Sequence, residues 1–270
     1  MARSSRRMIF SLILLAVAIA GAYTGFRTWR DAIPPTLEEA FPSGEIVVGV
    51  DTSYFPFAVD TGNSLQGLDI DLAQAIGERM GLPVRFRPLG YDGLYDALIR
   101  GDVDLLISAL VVNPSRTQDV IYTRPYYDDG LILVTGAERE ITRMQDLPGY
   151  ALALEYGSVA HSEANTWERQ LESFDILPYE LPSYALDAVR LGQADAALVE
   201  TTSYLLYQQN HRNWQSEMHR VRNAFFAIAV RIDREATWVW VDATLGSMEY
   251  DGSLQRIIDF WLGIPDEELP

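Results

Sequence analysis

Residues 97–107, ALIRGDVDLLI, align without a gap with residues 188–198, AVRLGQADAAL. Each copy reads as the end of a helix, a glycine that stops the helix, a polar turn with an acid, and a buried strand. Any junction between a helix and a strand shares some of these features. Two copies about 90 residues apart nevertheless favour a chain of two lobes that are built on one plan.

Short apolar strands alternate with amphipathic helices around the first copy. Residues 46–50 form a β-rich run, and Asp69 is placed to cap a helix that Gly81 ends. Residues 91–100 have a helical pattern, and residues 104–109 are typical of a buried strand. A succession of strand, helix and strand predicts an α/β fold whose sheets contain parallel strands.

Two further runs are expected to connect the lobes. Residues 129–134 and 225–230 are strand-like, and each is placed to cross from one lobe to the other. Open α/β sheets bind their ligands beyond the carboxyl ends of the strands. This rule places Ser108 and Ala109 at the mouth of the first lobe and Glu200 at the mouth of the second.

The composition of the chain excludes several functions. Its 38 acidic residues against 21 basic ones give a net charge of −17, so it is a poor partner for nucleic acid. All the basic residues are arginines, which removes lysine chemistry, and no cysteine supplies disulfides, thiol nucleophiles or sulfur ligands for a metal. His161, His211 and His219 have no metal-binding spacing, so no cofactor is expected.

The first 26 residues have the layout of an export signal. Arg3, Arg6 and Arg7 precede an apolar run from Met8 to about Ala20, which small residues follow. The segment is either cleaved or retained as a membrane-anchoring helix with its arginines on the cytoplasmic side, and retention is favoured slightly. Residues 27–43 contain three prolines and are interpreted as a linker. The remainder is expected to act outside the cytoplasm.

Several motifs in order resemble one known family from Gly44 to Gly263. These motifs are residues 49–57 (GVDTSYFPF), 67–73 (GLDIDLA), 104–108 (DLLIS), Arg116 with 122–127 (YTRPYY), 157–158 (GS), 194–200 (ADAALVE), 251–252 (DG) and 261–263 (WLG). The sequence is similar in them to the extracellular solute-binding proteins of family 3, the amino-acid-binding branch of the type II periplasmic binding fold. Each motif is weak alone, but their order over some 220 residues is specific.

The resemblance implies a two-lobed α/β fold with a hinge of two crossing strands. Lobe 1 would comprise residues 44–128 and 228–263, and lobe 2 residues 132–224. The expected function is an extracytoplasmic receptor that captures a polar amino acid, with basic amino acids included, between the lobes for an ABC importer. The expected partners are that amino acid and a membrane permease, with the receptor itself a monomer. The alternatives are a sensor domain or a dehydratase acting on prephenate or arogenate, although no catalytic residue is predicted.

The resemblance also assigns ligand contacts to individual residues. Arg116 matches the arginine that grips the ligand α-carboxylate, for which a planar guanidinium is suited, although a solvent-facing arginine is the alternative. Glu200 stands where the family usually has an aspartate that accepts the ligand ammonium. Tyr54 and Tyr91 match aromatic walls around the ligand side chain, and Asp51 matches an acid that some members use for a cationic or amide side chain.

The other predicted contacts depart in part from the family pattern. Ser158 begins a helix whose free N–H groups favour a carboxylate, and Val159 replaces the usual threonine. Ser108 is expected to contact the ligand at the end of its strand. Ala109 and Val111 stand where some relatives carry hydroxyl groups, but their backbone groups are expected to serve the ligand. These departures leave the identity of the amino acid open.

Overall fold

The computed structural model describes residues 34–263 of the chain. Its strands are β1 (Ile46–Val50), β2 (Ser53–Tyr54), β3 (Ala58–Asp60), β4 (Leu65–Gln66), β5 (Val84–Pro88), β6 (Leu105–Leu106), β7 (Val120–Asp128), β8 (Leu131–Gly136), β9 (Ala151–Glu155), β10 (Asp175–Tyr179), β11 (Ala196–Glu200), β12 (Ser216–Arg222) and β13 (Phe225–Arg231). Its helices are α1 (Leu37–Ala40), α2 (Leu68–Met80), α3 (Leu94–Arg100), α4 (Val159–Glu168), α5 (Pro182–Arg190), α6 (Thr201–Asn210), α7 (Glu235–Tyr250) and α8 (Ser253–Leu262).

Two mixed five-stranded sheets form the centre of the molecule. The first has the strand order β5-β1-β6-β13-β7, and the second has the order β10-β9-β11-β8-β12. Three neighbouring strands pair in parallel in each sheet: β5, β1 and β6 in the first, and β10, β9 and β11 in the second. In the first sheet β13 pairs antiparallel with β6 and β7, and in the second β8 pairs antiparallel with β11 and β12. The α/β class predicted from the sequence is confirmed, as is the two-lobed plan of the type II periplasmic binding fold.

The two sequence copies adopt the same local structure. Gly101 is the C-cap of α3 and Gly192 follows Leu191, the C-cap of α5; both glycines have positive φ, 77° and 72°, a conformation that glycine adopts readily. Each acid then occupies an equivalent position at the start of a parallel strand. Asp104 Oδ2 accepts a hydrogen bond from Val47 N at 2.9 Å, and Asp195 Oδ2 accepts one from Ala151 N at 2.9 Å. The internal repeat is therefore a structural repeat.

The N-terminal cap of helix α2 differs from the prediction. Gly67 is the N-cap of α2, and Asp69 is not, although Gly81 ends the helix as expected. Asp69 is fully buried, and its carboxylate is engaged by groups distant in the sequence. A local capping rule could not anticipate those partners, because they reach Asp69 only after the chain has folded.

The predicted strand at residues 104–109 is shorter than expected. Only Leu105 and Leu106 form β6, although the chain stays buried to Leu110. Beyond β6, Ser108 Oγ accepts a hydrogen bond from Asp51 N at 2.9 Å, so a side chain continues the contact with β1. Ala109 then turns the chain away with a φ of 46°, which is unusual for a residue with a Cβ.

The crossings between the sheets lie in two short connectors. Residues 129–130 join β7 to β8, and residues 223–224 join β12 to β13. The runs predicted to cross, 129–134 and 225–230, therefore lie mostly in β8 and β13, just after each crossing. Asp129 N donates to Ala224 O at 3.0 Å, and Ala224 N donates to Asp128 Oδ1 at 2.8 Å. The connectors therefore lie side by side and are bonded to each other.

Part of the predicted linker is docked on the fold. Within residues 34–43, α1 begins with a capping box between Thr36 and Glu39, and Ala40 and Phe41 are buried. Thr237 Oγ1, on α7, donates to Ala40 O at 2.8 Å. Proline content suggested a free linker, but the apolar face of this turn packs on α7 instead.

The predicted signal or anchor, residues 1–26, lies outside the described residues. Across residues 34–263, none of the helices combines the length and the apolar character that a membrane crossing requires.

Candidate functional site

A cleft of about 620 Å³ lies where the two sheets face each other. Strand ends from both sheets reach it: Asp51 follows β1, Glu155 ends β9 and Glu200 ends β11. Both connectors also reach it, through Asp129 and Ala224. The cleft therefore occupies the position where open α/β sheets bind ligands, beyond the carboxyl ends of parallel strands.

Most of the residues predicted to contact the ligand line this cleft. They are Asp51, Tyr54, Tyr91, Ser108, Ala109, Val111, Val159 and Glu200. Arg116 and Ser158 are the two that do not line it. The ligand-binding role of all ten remains a prediction.

Aromatic side chains form an exposed wall of the cleft. Tyr54 is stacked on Phe57 with ring centroids 5.2 Å apart, and Phe226 meets Phe57 edge to face at 5.2 Å. Phe57 is buried, whereas Tyr54 and Tyr91 are about half exposed. The aromatic cluster thus presents Tyr54 to the cleft, and Tyr91 lines the cleft separately; both rings suit apolar stems and cations.

The floor of the cleft is held by hydrogen bonds at the ends of β1 and β6. Asp51 Oδ1 accepts from Ser53 N at 3.0 Å and from Ser53 Oγ at 2.7 Å. Ala109 N donates to Asp69 Oδ2 at 2.7 Å. The Ala109 amide is therefore engaged by Asp69 in this structure, and the predicted contact of Ala109 with the ligand would fall to its carbonyl.

Asp69 lies beneath that floor, and its pKa is raised. Its Oδ1 accepts a hydrogen bond from Tyr126 Oη at 2.8 Å. Burial raises the pKa of Asp69 from 3.8 to about 7, although the bonds from Tyr126 and Ala109 oppose the rise. The folded protein therefore holds this proton more tightly than the unfolded chain does.

We expect Asp69→Asn to flatten the pH dependence of stability. The protonated acid stabilises the fold fully below about pH 4, and this contribution is lost as the pH rises through about 7. Asparagine mimics the protonated form, so the wild type should lose on the order of 4 kcal/mol relative to the variant over that range. Urea unfolding at pH 4 to 8 measures the difference. The exposed Asp96→Asn serves as the control, and parallel profiles for the wild type and Asp69→Asn would contradict the assignment.

The start of α4 differs from the predicted carboxylate site. Ser158 Oγ accepts from His161 N at 3.1 Å and donates to Glu155 O at 2.8 Å, so its hydroxyl is occupied by helix capping. Gly157 N donates to His161 Nδ1 at 3.0 Å. His161 thus satisfies a backbone N–H group just before α4. Only the N–H groups of Val159 and Ala160 are left without an acceptor among residues 157–161.

Arg116 lies in an adjoining cavity of about 330 Å³. A 3₁₀ turn over Pro114–Arg116 precedes β7, and the guanidinium carbon lies 4.6 Å from the centroid of the Tyr95 ring. Tyr91 and Val111 line both cavities. Arg116 and Glu200 therefore do not face each other across one cavity here, contrary to the expectation from the resemblance.

The cleft is strongly acidic. Asp51, Asp129, Glu155 and Glu200 line it, and Arg222 is its one cationic lining residue among those described. Arg222 itself pairs with Glu163 at 3.4 Å. The pKa of Glu155 is raised by burial and by the charge of Glu200, and the pKa of Tyr54 is raised by burial and by the charges of Asp129 and Glu200. This negative environment favours a ligand that carries positive charge.

Sequence reasoning missed part of the cleft lining. The unpredicted residues are Ser53, Asp129, Leu131, Glu155, Pro182, Ser203, Arg222, Ala224 and Phe226. Glu155 follows the same rule as Glu200, since both end a parallel strand, so strand position could have found it. Asp129, Arg222 and Ala224 belong to the crossings, for which the sequence offers no comparable signal.

The comparison with known families agrees with this geometry. Residues 46–264 match the bacterial extracellular solute-binding proteins, family 3. The chain belongs to this family. The description of this solute-binding family places the protein outside the cytoplasm.

Individual relatives are distant but span most of the chain. The arginine-binding extracellular protein ArtP of Bacillus subtilis is 24% identical over 220 residues, which cover 80% of this chain and 86% of ArtP. The ancestral cationic amino acid solute binding protein AncCDT-1 has a TM-score of 0.68 and 26% identity, covering 84% of this chain and all of that one. The unliganded, open L-cystine solute receptor of Neisseria gonorrhoeae has a TM-score of 0.74 at 20% identity, covering 84% and 96%.

Proposed function

We propose that this solute-binding protein captures a free amino acid with a cationic side chain and delivers it to an ABC importer. Two lobes, residues 44–128 with 228–263 and residues 132–224, would close on the ligand. Arginine-binding ArtP and the cationic amino acid binding protein AncCDT-1 support this substrate class. The protein would work as a monomer, anchored by its N-terminal segment or released after cleavage of that segment.

The observation that carries the proposal is the charge of the cleft. Four carboxylates, one already paired arginine and two exposed tyrosines line it. An amino acid with a basic side chain brings two cationic groups and one anionic group. Glu200 would accept the ammonium, and Asp51 would face the side chain. Arg116 would bind the ligand carboxylate from its own cavity, which adjoins the cleft at Tyr91 and Val111.

Calorimetry with each of the twenty common amino acids tests the proposal. We expect a dissociation constant on the order of micromolar for the best ligand. Arginine, lysine or histidine should bind more tightly than the neutral glutamine, because only they compensate two carboxylates at once. Absence of binding to any amino acid would contradict the receptor function, and a clear preference for acidic amino acids would contradict the charge argument.

A single substitution tests the role of Glu200. We expect Glu200→Gln to weaken arginine binding by about 10-fold or more, because the neutral amide loses the charge that pairs with the ammonium. Calorimetric titration measures the change. Glu172→Gln removes an equal charge from an exposed position and should leave the affinity unchanged.

The enzyme alternative is answered by a separate assay. A second solved structure of AncCDT-1 has a TM-score of 0.56 to this chain, and its authors call AncCDT-1 a precursor of cyclohexadienyl dehydratase. We propose that the present chain is a binding protein without such activity. Incubation with prephenate or arogenate should yield no product above the uncatalysed rate, whereas turnover would favour the enzyme.

A further inference from the structure

Asp129 is a nearly buried acid that reaches the cleft from the crossing between β7 and β8. It is 4% exposed, yet it is one of the residues that line the cleft. No pattern in the sequence predicts this placement. Its position on a connector brings a negative charge to the junction of the two sheets.

One oxygen of Asp129 is used by the fold and the other is available. Oδ1 accepts a hydrogen bond from Thr202 N at 2.7 Å, at the start of α6. Thr202 is the one residue among residues 34–263 whose groups donate to this carboxylate, and Oδ2 is not one of the fully enclosed polar atoms that lack a partner. The second oxygen is therefore open to a donor in the cleft.

No cation of the described chain neutralises Asp129. Arg220 lies 3.9 Å from Asp128 Oδ1 and donates to Thr201 Oγ1, while Arg222 pairs with Glu163. A carboxylate removed from water is stable only when a positive charge or several donors compensate it. In the folded protein this compensation is incomplete.

Groups of both charges surround Asp129. The ionisable or polar groups that face it are Tyr127 and Asp128 on β7, Glu200 at the end of β11, Thr202 on α6, Arg220 and Arg222 on β12, and Tyr54 on β2. Burial, with smaller contributions from Glu200 and Asp128, raises the pKa of Asp129 from 3.8 to about 6, although the hydrogen bonds from Thr202 oppose the rise. Asp129 is therefore mostly ionised at neutral pH and becomes protonated as the pH falls through about 6.

We propose that Asp129 is a specificity-determining residue that pairs with a cationic group of the bound amino acid and makes its capture depend on pH. This inference rests on the proposed receptor function. Cation binding requires the charged carboxylate, so affinity is highest above about pH 6 and falls as the pH drops below that value. The same pairing would join the ligand to the crossing about which the two sheets are connected.

Calorimetry of Asp129→Asn with arginine and with citrulline, its neutral analogue, tests the pairing. Asparagine keeps an oxygen for Thr202 N, so the variant should fold. We expect roughly 30-fold or greater loss of arginine affinity at pH 7.5. Loss confined to arginine assigns the contact to the side-chain cation and supports the proposal, whereas equal loss for citrulline assigns the contact to the ammonium and overturns the specificity-determining role. Unchanged affinity for arginine would overturn it.

A measurement on the unaltered protein removes any dependence on folding of the variant. The carboxyl carbon of Asp129 can be titrated by NMR with and without saturating arginine. We expect its midpoint near pH 6 to fall by about 1 to 3 pH units when arginine binds. An unmoved midpoint would overturn the proposal.

Two controls separate this inference from the receptor function. Asp96→Asn removes the same charge from the surface and should bind arginine as the wild type does. If the wild type binds another amino acid but not arginine, lysine or histidine, the role of Asp129 fails while the receptor function stands. If it binds no amino acid, the receptor function itself fails.

Discussion

Arg116→Lys is expected to reduce amino-acid affinity by about 100-fold. A guanidinium donates two parallel hydrogen bonds to a carboxylate, whereas an ammonium offers a single point of charge. Lysine would also lose the stacked position that holds the Arg116 guanidinium 4.6 Å from the centre of the Tyr95 ring. Calorimetric titration of the best ligand measures the effect.

Arg222→Lys is the matched comparison for this experiment. Arg222 lines the cleft but pairs with Glu163 at 3.4 Å, whereas Arg116 occupies the adjoining cavity. If Arg116 holds the carboxylate, its substitution has the larger effect on affinity. Unchanged affinity in Arg116→Lys together with a large loss in Arg222→Lys would transfer the carboxylate contact to Arg222.

Gly130→Ala is expected to destabilise the protein by about 3 kcal/mol or more. A Cβ at this position would lie 2.0 Å from Arg222 O and 2.7 Å from Asn223 Cα. Both obstacles are backbone atoms, so no side-chain rotation relieves the clash. The two connectors would have to separate, which would break the hydrogen bonds that Ala224 makes with Asp128 and Asp129.

Gly136→Ala provides the control. Gly136 is the last residue of β8, the strand that follows Gly130, and a Cβ there meets no atom within 4 Å. We expect urea unfolding to show little change for this variant and a clear loss for Gly130→Ala. Because the crossing also carries Asp129, arginine affinity should fall in Gly130→Ala as well. Equal stability of both variants would show that the connectors tolerate separation.

The strand and helix order could be predicted largely from local patterns. Gly101 and Gly192 stop their helices, because a left-handed residue at a helix end is a property of the adjoining backbone. The acids that follow each glycine, Asp104 and Asp195, also repeat in the sequence. Their equivalent bonds to neighbouring strands confirm the two-lobe interpretation.

A prediction failed where a side chain had both local and distant partners available. Asp69 was expected to cap α2, but it bonds to Tyr126 and to the Ala109 amide instead. Ser158 illustrates the opposite case, since its hydroxyl takes the local role of a helix cap. The ligand contacts of Ala109 and Ser158 remain predictions.

The sequence by itself determined the α/β class, the two related halves and the strand ends that carry Asp51, Ser108 and Glu200, since each follows from patterns within a few residues. Only the tertiary structure decided that Asp129 and Arg222 line the cleft and that Arg116 lies beside it. These placements arise where two connectors distant in sequence pass each other. Contacts of that kind depend on the path of the whole chain, which local spacing does not encode.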